Sequence, residues 1–241
     1  MDGRCLPSVV RRRGNLVNNN SLPIDNNSIH RGAMQKLAPL PIDFDEVAHS
    51  YLWRPTNERM MLSVTGVLSA GKSKRTLHIF EKTKSIWAPR GTFVHGALEQ
   101  FLKGVPAEKL IGGQYDEYVK PLLAYPLWDC FEPLALEYRV CDLKRNIGGS
   151  LDVLGYDHQT ERMVLLDLKT LGRTSQQYST DAQLGGYLSM LIDHKKLVVD
   201  ECLTIWAGSG ETHLGASQPP DRCLEAWEHA YDIWKMQQEE I

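Results

Sequence analysis

Apolar and polar positions change their period several times along the 241-residue chain, and each change marks a predicted element. Short strand-like pieces fall at residues 49–53 and 60–64, with a turn at Pro55-Thr56-Asn57 between them. From Ser73 to about Tyr125 the period is helical, with no convincing strand. One helix there, 92–102, carries Phe93, Ala97, Leu98, Phe101 and Leu102 as its apolar stripe, and another, 114–125, closes near Pro126. Alternation returns at 131–142, which predicts a strand. Residues 148–171 read as two strands around the polar turn Asp157-His158-Gln159-Thr160-Glu161. The second of them is the apolar run Met163-Val164-Leu165-Leu166, which ends abruptly in Asp167-Leu168-Lys169. A helix at 180–194, a strand at 201–207 and an amphipathic helix opened by Pro219-Pro220 complete the chain.

Composition narrows the class. A hydrophobic content of 42% and a charged content of 24% are those of an ordinary soluble globular protein, and no apolar run approaches the length of a membrane span. The length suits one sizeable domain with an arm: residues 1–38 as a flexible basic leader, and residues 39–241 as the domain. The five cysteines (Cys5, Cys130, Cys141, Cys202 and Cys223) are scattered and form no C-x-x-C pair. That excludes a zinc knuckle and an iron–sulfur cluster held by closely spaced thiolates, and reduced thiols in an intracellular, cytoplasmic compartment fit best.

Charge adds two local features to a net charge of −3. The leader holds six basic residues against two acidic ones, which suits an arm touching phosphate or a mitochondrial targeting peptide; a leader without a role is the default. Between Lys72 and Arg90 stand six basic residues and one acid, Glu81. Lys72, Lys74, Arg75 and Arg90 are therefore candidates for a phosphate-backbone track, set against the plainer reading of a solvated helix face. The same region contains Gly66-Val67-Leu68-Ser69-Ala70-Gly71-Lys72-Ser73, a letter-for-letter match to the phosphate-binding loop of NTPases. Such a loop opens a parallel α/β sheet, whereas helix after helix follows here, so the NTPase reading stands as an alternative without its structural context.

The chemistry that distinguishes this chain lies at the end of the 163–169 strand. Side chains alternate along a strand, so Asp167 and Lys169 share a face while Leu168 points to the opposite layer. A neighbouring strand carrying Asp152 can add a second carboxylate. Two acids and an amine at the end of a buried strand are costly unless paired or holding a metal. A lone D-x-K is most often a strand-end salt bridge, so the wider chain has to decide.

Taken in order, Ser63-Val64-Thr65, the helix Gly91-Thr92-Phe93-Val94-His95-Gly96-Ala97-Leu98-Glu99, Glu137, Gly149-Ser150-Leu151-Asp152, Asp167-Leu168-Lys169-Thr170 and Gln183-x-x-x-Tyr187 resemble the PD-(D/E)xK nuclease superfamily in its RecB-like exonuclease branch. That branch includes bacterial recombination nucleases, phage-type exonucleases and mitochondrial genome-maintenance exonucleases. The resemblance implies an α/β (α+β) fold with a restriction-endonuclease-like core: a central mixed sheet flanked by helices, with a helical N-terminal half. It implies a metal site of His95, Asp152, Asp167 and the backbone carbonyl of Leu168, with Glu137 nearby. Leu151 stands where the superfamily's name has proline, and the cysteines of the 4Fe–4S-bearing relatives are missing, so no iron–sulfur cluster is expected.

By the same resemblance, Mg²⁺ or Mn²⁺ held by these hard ligands would assist phosphodiester hydrolysis. Asp152, Asp167 and Lys169 would be the catalytic set, with Lys169 orienting water or stabilising charge rather than acting as a free base. Gln183 and Tyr187, one turn apart on a helix, would brace the site or touch the substrate strand. The expected activity is that of a metal-dependent DNA exonuclease acting on single strands or ends in replication, recombination or repair, with no membrane partner. A nuclease-fold DNA-binding module that no longer cuts is the alternative from another class.

Overall fold

The computed structural model describes residues 35–172 and 176–239; the leader expected at 1–38 lies outside the described residues except for its last four. Two of those four, Leu37 and Ala38, are tied to the domain. The Leu37 N–H donates to the Leu134 carbonyl at 2.9 Å, and the Ala38 carbonyl accepts from the Tyr138 hydroxyl at 2.7 Å and the Lys195 ammonium at 2.9 Å. The domain thus begins a little before residue 39.

Three short strands, β1 (Ile42–Asp45), β2 (Ser50–Trp53) and β3 (Glu58–Met60), form an antiparallel sheet of their own. The two-residue β4 (Leu62–Ser63) runs straight into helix α1 (Val64–Ala70), because Ser63 is an N-cap whose hydroxyl accepts the Gly66 N–H at 3.1 Å. One expectation is corrected here, and one alternative loses its footing. Val64 opens a helix rather than closing a strand, its side chain buried with Val67. The stretch from Gly66 onward is also not a phosphate-cradling loop. Its first five residues are helical, the Gly66 N–H is committed to Ser63, and the Lys72 N–H is committed to the Ser69 carbonyl at 3.1 Å.

Next comes α2 (Lys74–Leu102), one continuous helix of 29 residues where two helices were expected, with Pro89 inside it. It is capped by the Ser73 side chain, which accepts the Thr76 N–H. Helix α3 (Asp116–Leu123) follows, and no strand falls between β4 and residue 131, as the helical period predicted. The large sheet is built on β5 (Phe131–Asp142), β6 (Ile147–Asp157) and β7 (Arg162–Thr170). The same device turns both hairpins. Asp142 Oδ1 accepts the N–H groups of Lys144 and Arg145, and Asp157 Oδ1 accepts that of Gln159. Each turn then closes through a left-handed residue, Asn146 or Glu161, both at φ 57°.

β6 is the central strand. One edge pairs with β5 along its whole length. The other is shared: Ile147 and Gly148 pair with β4 in parallel, and Val153 to Asp157 pair with β7 antiparallel. Helix α4 (Asp181–Lys195) carries the chain from β7 to the parallel neighbour β8 (Glu201–Gly208), and β9 (Glu211–Leu214) closes the edge before α5 (Pro220–Glu239). The fold is therefore α+β, a mixed sheet with helices on both faces. α1, α4 and α5 cover one face through Val64, Leu165, Leu184, Leu188 and Trp227. The C-terminal half of α2 and α3 cover the other through Val94, Leu98, Leu122, Leu166 and Leu168. The alternation of Leu165 against Leu166 and Leu168 sends neighbouring side chains into opposite layers. No described helix is long and apolar enough to cross a membrane. Cys141, Cys202 and Cys223 are buried free thiols.

The α4–α5 contact depends on a missing side chain. A Cβ on Gly185 would lie 1.9 Å from the Cys223 carbonyl oxygen, whereas one on Gly96 would meet nothing within 4 Å. Gly185→Ala should therefore destabilise the domain by about 1–3 kcal/mol through forced separation of the helices. Gly96→Ala should be neutral or stabilise it by up to ~1 kcal/mol, as helix propensity alone dictates. Urea unfolding of the two variants against the parent checks this.

Candidate metal centre

Pairing between β6 and β7 stops at Val153 opposite Leu166, and the strands separate beyond that point. In the fork, Asp152 Oδ2 accepts the Leu168 N–H at 2.7 Å. Asp152 Oδ1 lies 3.5 Å from His95 Nδ1, delivered by the buried half of α2. On the other edge of β6, Leu136 faces Val153 and Tyr138 faces Leu151, which sets Glu137 across from Asp152. Glu137 adopts φ 46°, a left-handed conformation inside a strand that non-glycine residues take at a cost of about 1–3 kcal/mol. That turn of the backbone brings Glu137 Oε1 to 3.8 Å from His95 Nδ1. One ligand atom from each of His95, Glu137 and Asp152 lies within 4.8 Å of the others, and the three line a small cavity with Leu98, Val153 and Leu168.

Asp167 and Lys169 share a face, as strand alternation requires, with Lys169 Nζ 2.5 Å from Asp167 Oδ2. Asp167 is only 1% exposed, and its Oδ1 accepts from the Gln183 amide at 3.0 Å. The same Gln183 nitrogen donates to the buried Tyr187 hydroxyl at 3.1 Å. Asp167 Oδ2 is buried, and the Lys169 ammonium lies against it.

The expected ligands thus fall into two adjoining sets. His95, Asp152 and Glu137 meet directly, whereas Asp167 is turned toward α4, paired with Lys169 and Gln183. Leu168 borders the cavity and gives its N–H to Asp152. A donor set of one imidazole and two carboxylates suits a hard or borderline divalent cation such as Mg²⁺ or Mn²⁺.

Electrostatics bind the two sets together. Burial would depress the His95 pKa, but Asp152 and then Glu137 outweigh it and raise it from 6.5 to about 10. Burial would raise that of Asp152, but the neighbouring His95, then Lys169 and the Leu168 N–H, bring it below 3.8. For Asp167 burial prevails, aided by Asp152 and only partly offset by Lys169, and its pKa rises to about 6. Burial disfavours the Lys169 ammonium, yet Asp167, Asp152 and Tyr178 hold its pKa above 10.5, so it keeps its proton.

The four basic candidates for a phosphate track diverge. Lys74 and Arg75 are exposed at the start of α2. The Lys72 ammonium sits 4.9 Å from the centre of the Phe80 ring. Arg90 is not available as a free cation: its guanidinium stacks on Tyr118 at 5.0 Å and donates to that hydroxyl at 3.3 Å, fastening α2 to α3. One residue at this site escaped sequence reasoning. Tyr178, in the loop after β7, stands edge-on to Trp206 with ring centres 5.2 Å apart, and acts on the charges of Lys169 and Asp167. Its only signal was an aromatic residue in the loop that follows the D-x-K strand.

No protein-family model matches this chain, and no curated protein matches its sequence. Among solved structures, that of SSO0001 aligns over 73% of this chain and 75% of its own, at 14% identity and a TM-score of 0.41. The likeness is too distant to carry function.

The sign of the His95 shift sets a prediction. A proton favoured in the folded state stabilises the metal-free fold fully below pH 6.5, and that contribution is lost as pH rises through about 10. A metal-ligating imidazole must be neutral, so Mn²⁺ binding at pH 7.5 should expel about one proton and tighten as pH rises. Calorimetric titration in buffers of different ionisation heat measures that proton, and His95→Ala should abolish its release; heats independent of buffer would rule the arrangement out as a metal site. Glu137→Gly should weaken Mn²⁺ binding while leaving the thermal midpoint at or above that of the parent, because the left-handed strain goes with the side chain.

Proposed function

We propose that this protein is a divalent-metal-dependent nuclease of the PD-(D/E)xK type, a DNA exonuclease working on single strands or ends. One observation carries the reading. The imidazole of His95 and the carboxylates of Asp152 and Glu137 converge beside a buried Asp167–Lys169 pair, at the point where two sheet strands part. A surface salt bridge at a strand end, the plain reading of D-x-K, would have neither the histidine from a separate helix nor the strained glutamate.

His95, Asp152 and Glu137 would hold the cation, with Asp167 the adjoining carboxylate. Bound there, Mg²⁺ or Mn²⁺ would lend Lewis acidity to a phosphate oxygen and make water a stronger nucleophile. The remaining work belongs to the chain. Lys169, held protonated by two carboxylates, can donate hydrogen bonds to water or to a phosphate oxygen but has no lone pair to accept a proton. Gln183 fixes the Asp167 carboxylate by its amide and is itself steadied by Tyr187, so the pair orients a ligand. Cleavage by this centre needs a phosphate approaching from the open side, where Glu137 and His95 are partly exposed.

End-labelled DNA incubated with Mn²⁺ or Mg²⁺ should be shortened by the parent protein and protected by chelation. Asp152→Ala, Asp167→Ala and Lys169→Ala should each lower the rate by a hundredfold or more, the usual range for losing an electrostatic or acid–base group. Undiminished cleavage in either aspartate variant would remove that residue from the mechanism. Binding without cutting across several metals would favour the silent DNA-binding module instead.

A further inference from the structure

The end of β7 has two flanks, and the candidate centre occupies one of them. Sheet order runs β6, β7, β8. Asp152, with Glu137 and His95 about it, lies on the β6 flank. On the β8 flank Thr204 stands opposite Asp167 and Trp206 opposite Lys169, in parallel register, so each pair shares a face of the sheet. The chain that leaves β7 comes back over this flank at two points. The Thr180 and Thr204 hydroxyls are hydrogen-bonded to each other, and both residues are buried. Two residues earlier, Tyr178 stands edge-on to Trp206, with ring centres 5.2 Å apart and an angle of 79° between the planes. Thr180 is therefore pinned level with Asp167, and Tyr178 level with Lys169, one strand over.

Core packing accounts for Trp206 but not for Tyr178. The indole is 3% exposed, whereas Tyr178 is 54% exposed and rests on it by an edge. The Tyr178 hydroxyl makes no hydrogen bond among the described residues. Burial is the largest influence on that hydroxyl and raises its pKa, which Lys169 then lowers and Asp167 raises. The hydroxyl is thus the sheltered end of the ring, lies within the field of both charges and keeps its proton at neutral pH. Lys169 beside it has donors to spare. An ammonium carries three N–H groups and no acceptor, and Asp167 is its one hydrogen-bonded acceptor among the described residues. Two neighbouring donors that the chain itself leaves unanswered suit a ligand that brings oxygen acceptors and negative charge together. A phosphodiester is such a ligand, with two non-bridging oxygens sharing one charge.

We propose that Tyr178 is a substrate-binding residue whose hydroxyl, together with the Lys169 ammonium, holds a phosphate oxygen of a polynucleotide strand on the β8 flank of the centre. The strand then crosses the end of β7, from the cation on one side to Tyr178 on the other. The inference deepens the nuclease reading and rests on it for the class of ligand, but its test needs no cutting. Binding of labelled oligothymidylate is measured by fluorescence anisotropy in EDTA for the parent, Tyr178→Phe and Tyr178→Leu. Losing a hydrogen bond to a charged oxygen should weaken binding about tenfold or more. Tyr178→Phe should fall as far as Tyr178→Leu, because the hydroxyl and not the ring does the holding. Its thermal midpoint and Mn²⁺ affinity should stay those of the parent, which separates lost binding from unfolding or a lost cation.

Oligonucleotides carrying one uncharged methylphosphonate at a time locate the contact. At one linkage the parent should lose about tenfold while Tyr178→Phe loses about threefold at most, and at the others the two proteins should lose equally. Tyr178→Phe binding like the parent overturns the proposal, as does a parent that binds no strand, or equal losses in the two proteins at every linkage. A parent that needs this hydroxyl to bind yet cuts with no metal sinks the hydrolase proposal and leaves this one standing. Metal-dependent cutting by Tyr178→Phe at the parent's KM and kcat does the reverse.

Discussion

The fork between β6 and β7 is the constraint from which the centre follows. When strands part inside a domain, the backbone groups at the separation lose their ladder partners, and a buried N–H left open costs about 1–3 kcal/mol. Here Asp152 answers for Leu168. One carboxylate oxygen is spent on the backbone, which leaves the other aimed at His95. Orientation of the acid is thereby paid for by fold formation, before any ligand arrives. The same separation turns Asp167 and Lys169 out of the β6–β7 register while β8 continues to pair with them, so the two remain on a firm strand.

Charge at this point is arranged against stability. Asp167 is almost fully buried, its Oδ2 is met by the Lys169 ammonium at 2.5 Å, and burial raises its proton affinity. Glu137 holds an uncommon backbone angle in the middle of a long strand. Neither feature helps the chain fold. Backbone strain and a buried charge thus gather where β6 and β7 part.

Much of this was legible in the chain. The break in period around Asp157 located the β6–β7 hairpin, and the helical stretch between 73 and 125 proved free of strand. Face-sharing of Asp167 and Lys169 followed from alternation alone, and the one-turn spacing of Gln183 and Tyr187 put them on the same helix side. Other features were hidden because they depend on three-dimensional satisfaction. Nothing local told Val64 to begin a helix beyond the capping hydroxyl of Ser63. The split between a His95–Asp152–Glu137 group and an Asp167–Lys169–Gln183 group depends on how far the strands diverge, which no periodicity encodes. Arg90 looked like one more cation in a basic run until Tyr118 arrived from α3 to claim it.

Pro89 divides α2 between its exposed N-terminal half and its packed half. Lacking an N–H, it leaves the Ser85 carbonyl without the usual intrahelical donor, so the rod is softest at that rung. Upstream of it lie fifteen helical residues, a lever of roughly 22 Å at about 1.5 Å per residue. A bend of only about 10° at the proline would carry the far tip through some ~4 Å while His95, beyond the fulcrum, stays clamped in the core. Small local play is thereby converted into reach at the tip without loosening the centre.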